Sequence, residues 1–436
     1  MTDPALGQVI DPAPGLVAGP PVAPVASPPV APVASPPVAL YIHVPFCVSL
    51  CPYCDFVVYA GSAARGPRAR VESFLRALHV ELGLRADALD ERFGTARPPL
   101  ETVYLGGGTP SLLPAEAVAE VLERIRARFG LAGDAEVTIE TNPGTDERGD
   151  ARALREAGVT RVSIGAQSLS DTELTRLGRR HRAADVTAAV QAARDGGIES
   201  ISLDLLYDIP ESSLASWAAT LEAGLTLQPD HLSLYALTLD DPDAEGLTGA
   251  GGDHLPTTAG ARRWRGRARP RQDEDRAAEQ YLHAVQRLAA DGWRGYEISN
   301  WARPGHESRH NLVYWGRRPY EAVGPGAHAF DGVTRRWNAA RLDGYLAALT
   351  PADGSRPTAP PGGSEPIDPT TAAAERVILG LRTDRGVPAK AALEPPLAES
   401  FQWALAAALL DVTPDDRIVL TTRGRLLSNE LFARLV

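Results

Sequence analysis

Three cysteines form the cluster with the clearest chemical potential in this sequence. Cys47, Cys51 and Cys54 lie within eight residues, and the 436-residue chain has no other cysteine. A disulfide framework would need an even and dispersed set of cysteines, so the spacing indicates a metal site. Three thiolates on one short loop can hold three corners of an iron–sulfur cube and leave the fourth iron open. Structural zinc usually has four ligands, and because His43 could supply the fourth, zinc is the alternative.

The elements that must position this loop are short β-rich runs that alternate with amphipathic helical patterns. The predicted strands are residues 41–44, 102–105, 137–140, 161–164, 201–205 and 231–235. Strand–helix alternation repeated this often predicts βαβ units and a parallel sheet. The predicted fold class is therefore α/β. We expect a partial parallel (β/α)6 barrel, with a flat doubly wound sheet as the alternative.

Glycines or polar residues follow the predicted strands at their carboxyl ends. Glycines at 106–108, followed by Thr109, come directly after the second strand and would let the backbone approach a ligand closely. Such a turn is also common as a tight strand exit. Glu140, Gln167 and Asp204 end the third, fourth and fifth strands, and each alone could be a capping or turn residue. Because barrel proteins build their sites at this rim, we expect these residues to converge.

The spacing of the three cysteines, directly after a first strand, resembles the signature of the radical S-adenosylmethionine (SAM) superfamily. The resemblance implies a [4Fe-4S] cluster on Cys47, Cys51 and Cys54, with the amino and carboxylate groups of SAM on the open iron. It also implies that one-electron reduction cleaves SAM to a 5′-deoxyadenosyl radical. A radical SAM methyltransferase and a non-catalytic zinc or iron module are alternative interpretations.

A longer series of motifs narrows the resemblance to the family of oxygen-independent coproporphyrinogen III oxidases (HemN) and HemW-type heme chaperones. The matching motifs, in chain order, are YIHVPFC, GGGTPS, ETNP, RVSIGAQS, LGRRH, LDLLY and YEISNWA. They run from Tyr41 to about Phe330, with further similarity at residues 421–429. By this resemblance the SAM pocket would be lined by Tyr41, Tyr53, Gly107, Gly108, Thr109, Glu140, Gln167, Arg179 and Asp204.

Two features separate the two branches of this family. The oxidases place a fourth cysteine two residues after the third, and here Phe56 stands at that position. The chaperones carry the motif HNxxYW, which residues 310–315 match. Imidazole is a common axial ligand of heme iron, and aromatic side chains suit a porphyrin face. The resemblance therefore implies His310 and Trp315 as candidate heme contacts, although both could instead pack beneath the barrel.

The implied function is that of a heme chaperone, which binds heme and passes it to an acceptor protein that the sequence does not identify. The alternative is an oxygen-independent coproporphyrinogen III oxidase of porphyrin biosynthesis, and the missing fourth cysteine argues against it. One departure from the family pattern is Asp208, which stands where the family has glycine after the fifth strand.

Composition limits the other classes of function. The formal net charge of −11 gives no support for nucleic-acid binding, which usually shows a basic face. No window approaches about 18 uninterrupted apolar residues, so no membrane span is expected. The first residues lack the basic and apolar regions of a signal peptide. The expected location is therefore the cytoplasm, where thiols stay reduced.

Pro-rich and Gly-rich segments divide the chain into predicted regions. These are a disordered Pro/Ala/Val-rich tail (1–39), the radical SAM partial barrel (40–247), a flexible insertion (248–276), an extension with the HNxxYW motif (277–350), a linker (351–370) and a C-terminal domain (371–436). The C-terminal domain is expected to be small and mainly helical, and a winged-helix form is one option for it.

Overall fold

The computed structural model describes residues 33–64, 69–392 and 397–435. It confirms the predicted α/β class, and all six predicted strands are present, each somewhat longer than predicted. Residues 1–32 of the predicted tail lie outside the described residues. Within the described part of the chain, no helix is long and apolar enough to cross a membrane.

The strands include several short ones at the edges of the sheets. They are β1 (Ala39–Val44), β2 (Phe46–Cys47), β3 (Tyr59–Ala60), β4 (Leu100–Gly107), β5 (Leu131–Thr141), β6 (Arg161–Gln167), β7 (Ser200–Tyr207), β8 (His231–Ala236), β9 (Arg294–Gly295), β10 (Asn300–Ala302), β11 (Tyr320–Val323), β12 (His328–Phe330), β13 (Thr334–Asn338), β14 (Gly362–Pro366), β15 (Val387–Pro388), β16 (Leu410–Val412) and β17 (Arg417–Leu420).

The helices mostly connect consecutive strands of the main sheet. They are α1 (Val71–Phe93), α2 (Ala115–Phe129), α3 (Ala151–Ala157), α4 (Asp171–Arg176), α5 (Ala183–Asp195), α6 (Leu214–Thr226), α7 (Ala259–Ala268), α8 (Glu274–Ala290), α9 (Arg309–Trp315), α10 (Leu342–Leu349), α11 (Pro369–Arg382), α12 (Ala389–Ala392), α13 (Ala398–Ala406), α14 (Thr422–Leu426) and α15 (Ser428–Phe432).

Twelve strands form one sheet in the order β14-β13-β12-β11-β1-β4-β5-β6-β7-β8-β10-β9. The central strands β1, β4, β5, β6, β7 and β8 pair in parallel, and β11 adds in parallel to β1. The outer strands pair in antiparallel fashion at both edges. The six parallel strands, with helices between them, place the carboxyl ends of β4 to β8 at one rim, as the sequence predicted.

Helices cover one face of the parallel strands, and the residues on that face are apolar. In β1, Leu40, Ile42 and Val44 are fully buried. The amphipathic helix α2 contributes Val118 and Leu122, which are also fully buried in the same core. This pattern of burial holds the strands in register, and the register decides where their polar ends point.

The region after residue 369 has a hydrophobic core of its own. It contains α11 to α15 and a small antiparallel sheet in the order β15-β17-β16. Three short antiparallel strands beside helices are the elements of a winged helix, and that assignment stays a prediction.

Two segments that the sequence marks as irregular contain regular elements. The expected insertion at 248–276 includes the helix α7, and the expected linker at 351–370 includes β14, which pairs with β13. The Gly-rich, Pro-rich and charged composition of these segments is typical of loops. The sequence did not predict α7 and β14 because contacts with distant parts of the chain organise them.

Candidate functional site

A cavity of about 900 Å³ opens at the carboxyl ends of the parallel strands. All three cysteines border it, together with residues at the ends of β4, β5, β6 and β7. The predicted SAM residues that border it are Tyr41, Tyr53, Gly107, Gly108, Glu140, Gln167, Arg179 and Asp204. The structure therefore brings together residues that are spread over more than 160 positions of the sequence, from Tyr41 to Asp204.

The glycine turn after β4 supports the cysteine loop by close backbone contact. Gly107 has φ of 104°, and a Cβ there would overlap the imidazole of His43. A Cβ on Gly108 would lie 2.6 Å from the carbonyl oxygen of Phe46. The amide of Thr109 donates to that same oxygen at 2.7 Å. Only glycine fits this turn, which docks directly against the residue before Cys47.

Two of the cysteines are joined by a chain of polar side chains. The Cys47 Sγ lies 3.2 Å from the Thr109 hydroxyl, which accepts a hydrogen bond from the Asn142 amide at 2.9 Å. Asn142 Oδ1 accepts from Arg179 at 2.5 Å, and Arg179 donates to Cys51 Sγ at 3.5 Å. Thr109 itself is buried and supports the cavity wall from behind. This network fixes the positions of the two thiols relative to the strand ends.

Burial keeps the thiols of Cys47 and Cys54 protonated while no metal is bound. It raises the pKa of Cys47 to about 11, against the opposing effect of the Thr109 hydrogen bond. It also raises the pKa of Cys54 far above its ordinary value, and the nearby Cys51 adds to that rise. Metal binding must therefore displace these protons.

The zinc alternative requires His43, and the structure engages both of its ring nitrogens. Nε2 donates to the Val57 carbonyl oxygen at 2.9 Å, so Nδ1 accepts from the Tyr41 hydroxyl at 3.0 Å. Within residues 33–64, 69–392 and 397–435, no three His, Cys, Asp or Glu side chains are arranged to hold a single ion. A cube places each thiolate on a different iron, so three thiols around one cavity suit a cluster better than zinc.

The helix α7 holds the cysteine loop from the opposite side. Arg265 is 5 % exposed and donates to the carbonyl oxygens of Pro52, Tyr53 and Cys54 at 3.0–3.3 Å. The neighbouring Trp264 packs on Tyr53 with ring centroids 6.3 Å apart. A buried guanidinium needs such partners, so this arginine is part of the site's framework.

Glu140 is a buried carboxyl group at the end of β5. Tyr104 donates to Oε1 at 2.9 Å, and the Gly107 amide donates to Oε2 at 2.8 Å. Burial raises the pKa of Glu140 to about 7, although both hydrogen bonds oppose the rise. A carboxyl group with such a pKa can accept or release a proton near neutral pH.

The ends of β6 and β7 place two more predicted residues on the cavity. Asp204 accepts from the Ser163 hydroxyl at 2.9 Å, and burial raises its pKa above the ordinary value. Gln167 has φ of 68° at a point where the pairing of β6 with β7 shifts register. Backbone conformations of this kind are costly and concentrate at functional sites.

Asp208 stands where the family has glycine, and the local structure accommodates this difference. Its φ is 54°, a left-handed conformation that suits glycine and that aspartate tolerates better than most residues. Its carboxylate forms an ion pair with Arg276 of α8 and accepts from the Asp273 amide at 3.3 Å. The turn after β7 therefore has a left-handed residue at Asp208, and the ion pair and the hydrogen bond hold its side chain.

The two candidate heme contacts are placed differently. His310 borders the cavity, but its Nδ1 lies 2.7 Å from the Thr102 hydroxyl and its Nε2 lies 2.8 Å from the Tyr314 hydroxyl. It is fully buried, and burial lowers its pKa to about 3. Trp315 does not border the cavity and instead lies 4.4 Å from the Arg382 guanidinium. Iron ligation by His310 would require the loss of one of its two hydrogen bonds.

Several cavity residues were missed by reasoning from the sequence. Tyr104 lies within β4, and nothing in the sequence distinguishes it from an ordinary strand residue. Arg425 and Asn429 come from the C-terminal region and also border the cavity. The family match at residues 421–429 was the signal that could have found these two.

Comparisons with known proteins show the family to which the chain belongs. A family model for the radical SAM superfamily matches residues 41–223. The chain is 38% identical over 397 residues to the heme chaperone HemW of Mycobacterium tuberculosis, covering 91% of this chain and 94% of that protein. It is 31% identical over 401 residues to the heme chaperone HemW of Bacillus subtilis, covering 90% and 97%.

A solved structure shares the fold. The coproporphyrinogen III oxidase HemN from Escherichia coli, a radical SAM enzyme, superposes with a TM-score of 0.74 at 22% identity, covering 92% of this chain and 90% of that chain. Likeness at this identity concerns the fold alone. The sequence relatives extend over nearly the whole chain, and on their identity and coverage the chain belongs to the HemW family of the radical SAM superfamily.

Proposed function

We propose that this protein is a heme chaperone that binds heme and transfers it to an acceptor protein. The observation that carries the proposal is the similarity to proteins named heme chaperone HemW over 91% of the chain. Phe56 supports it, since this residue stands where the oxidases have a fourth cysteine, and its side chain is 62% exposed. The acceptor is a protein whose identity stays open, and neither nucleic acid nor a membrane is expected as a partner.

The cavity would hold a SAM-coordinating [4Fe-4S] cluster on Cys47, Cys51 and Cys54. The guanidinium of Arg179 suits the carboxylate of SAM, and the carboxylate of Asp204 suits its ribose hydroxyls. Both side chains border the same cavity as the thiols. When bound, the cluster would supply an open iron for SAM and the electron for its reduction.

Heme is the cargo in this proposal. His310 and Trp315 stay predicted heme contacts, carried by the HNxxYW motif. Both ring nitrogens of His310 are already hydrogen-bonded within the protein, so this residue could ligate iron only after a local rearrangement. The thiols of the cluster site need a reducing environment, which supports the cytoplasm as the location.

The test is titration of the anaerobically reconstituted protein with hemin, followed by mixing with an apo-heme protein. A heme chaperone should show a saturable Soret change at one heme per chain and should then lose that heme to the acceptor. A Soret change that does not saturate would contradict the proposal. Turnover of coproporphyrinogen III by the same preparation would favour the oxidase instead.

EPR of the reduced protein tests the cluster separately. A [4Fe-4S] signal that changes when SAM is added would support an open iron. A signal indifferent to SAM, or protein that binds stoichiometric zinc without iron and sulfide, would contradict the assignment of the three cysteines.

A further inference from the structure

A second cavity, of about 290 Å³, adjoins the large one. Tyr41, Phe56 and Tyr314 border both cavities and form the wall between them. The second cavity also contains His254 and His328, which border only this one. Neither histidine belongs to the cluster site, the SAM residues or the HNxxYW motif.

One carboxylate orients both of these imidazoles. Asp253 Oδ1 lies 3.0 Å from His254 Nδ1, and its Oδ2 lies 2.8 Å from His328 Nε2. The Asp253 side chain is 15% exposed, whereas the two histidines are 30% and 44% exposed. Each imidazole thus has one ring nitrogen fixed by the carboxylate, and its other nitrogen has no hydrogen-bond partner among the described residues.

The two free nitrogens are not equivalent. His254 is held through Nδ1, so its free nitrogen is Nε2, which points away from the backbone. His328 is held through Nε2, and its free Nδ1 lies beside the carbon that carries Cβ, where a planar macrocycle would be crowded. A ligating histidine that donates its Nδ1 proton to a carboxylate is the usual arrangement at metal sites. His254 has this arrangement.

The segment that carries His254 is hydrogen-bonded to β13 of the main sheet and to a residue that follows β13. Gly251 O accepts from the Trp337 indole at 3.2 Å, and Gly252 O accepts from the Ala340 amide at 2.8 Å. The His254 amide donates to the Leu247 carbonyl oxygen at 3.2 Å. A ligand held on such a segment keeps its orientation before iron arrives, which lowers the entropic cost of binding.

The surroundings favour an iron porphyrin over a bare cation. Within the described residues no set of three His, Cys, Asp or Glu side chains is arranged for an ion, whereas a porphyrin brings four nitrogen ligands of its own. Aromatic walls from Tyr41, Phe56, Tyr314 and Tyr320 suit the faces of a macrocycle. At about 290 Å³ the cavity lies just below the usual size of ligand sites, so it would cover only part of the heme and leave the rest exposed for transfer to another protein.

We propose that His254 is the axial ligand of the heme iron in this second cavity, with Asp253 as the positioning residue for its imidazole. The inference rests on the proposed heme-chaperone function and names the site at which the heme is held. It places the porphyrin beside Phe56, at the wall that separates the second cavity from the cluster site.

The experiment compares hemin binding to the full chain, reconstituted with its cluster, in the wild type and in His254→Ala. We expect His254→Ala to bind hemin at least about tenfold more weakly, a factor that corresponds to about 1.4 kcal/mol. Its ferrous heme should lack the iron–histidine stretching band in resonance Raman spectra, and added imidazole should restore that band. His79→Ala, which borders neither cavity, is the matched control and should bind as the wild type does.

Asp253→Asn separates positioning from folding. It keeps the ligand but weakens the acceptor for Nδ1, so the iron–histidine stretching frequency should fall while the heme stays ligated. Equal thermal unfolding of the variants and the wild type would exclude misfolding as the cause.

Three results bear on the inference in different ways. Wild-type binding that His254→Ala leaves unchanged would overturn the inference and leave the proposed function standing. Loss of the iron–histidine band in His310→Ala, with its retention in His254→Ala, would overturn it in favour of the HNxxYW motif. A wild type that binds no hemin would overturn the proposed function and this inference with it.

Discussion

Arg265 of α7 donates a hydrogen bond to the carbonyl oxygen of Cys54 at 3.0 Å. A residue more than 200 positions after the cysteine loop thus holds the last cysteine of the cluster motif in place. The same guanidinium reaches Pro52 and Tyr53, so one side chain fixes three consecutive carbonyl groups. It also puts a positive charge behind a loop that would carry thiolates.

Arg265→Ala should therefore reduce the amount of cluster that the protein retains. The loop would lose the hydrogen bonds from a charged donor, at a cost of about 2–4 kcal/mol. Iron and sulfide content after anaerobic reconstitution measures the effect. Arg263→Ala is the matched control, because Arg263 is exposed on the same helix. Equal iron content in both variants would show that α7 does not support the cluster site.

Gly107→Ala should destabilise the protein because the methyl group would overlap His43 and the positive φ would be strained. Strain of this kind costs about 1–3 kcal/mol, and the overlap adds to it. Gly83→Ala in α1 is the contrasting control, since nothing lies within 4 Å of its added Cβ. A helix-interior glycine replaced by alanine should gain about 0.5–1 kcal/mol. Urea unfolding measures both, and similar shifts would contradict the special role of Gly107.

The raised pKa of Glu140 predicts that the free energy of unfolding of the cluster-free protein depends on pH. Its folded pKa of about 7 lies above the ordinary 4.5, so between these values the folded state binds more protons than the unfolded state. Stability should therefore fall as pH rises from 4.5 to 7, by at most about 1.4 kcal/mol per pH unit, and the contribution should then level off. Glu140→Gln removes the ionisation, so its unfolding free energy should lack this part of the slope. An identical slope in the variant would contradict the raised pKa.

Thr109→Val should raise the pKa of the Cys47 thiol further, because the hydroxyl that opposes the effect of burial is lost. The cluster-free variant should then react with iodoacetamide at Cys47 more slowly at a given pH. Thr109→Ser keeps the hydroxyl and should restore the wild-type rate. An unchanged alkylation profile in the valine variant would show that the hydroxyl does not influence the thiol.

Reasoning from the sequence located the strands well because their apolar runs alternate regularly with amphipathic helices. It also predicted that the ends of these strands converge, since parallel strands share a direction. It did not locate α7, which lies in the segment predicted as a flexible insertion, although Arg265 of this helix is buried. The burial of this charge depends on carbonyl groups that are distant in the sequence. The local composition around Arg265 therefore could not predict it.

The sequence by itself determined the chemical types and the order of the parts. Cys47, Cys51 and Cys54 form one loop, the strands end in polar residues, and Phe56 replaces a cysteine. These properties depend on neighbouring residues and on a repeated strand–helix pattern. Both can be recognised from the sequence because they involve residues that are close together in the chain.

Only the tertiary structure decided which polar groups are already engaged and which are free. It bonds both nitrogens of His43 and of His310 within the protein. It orients His254 by Asp253 in a cavity beside Phe56, and in the described part of the chain the other ring nitrogen of His254 has no hydrogen-bond partner. Hydrogen-bond partners and cavity walls come from segments far apart in the chain, so the availability of a side chain is fixed only when those segments pack.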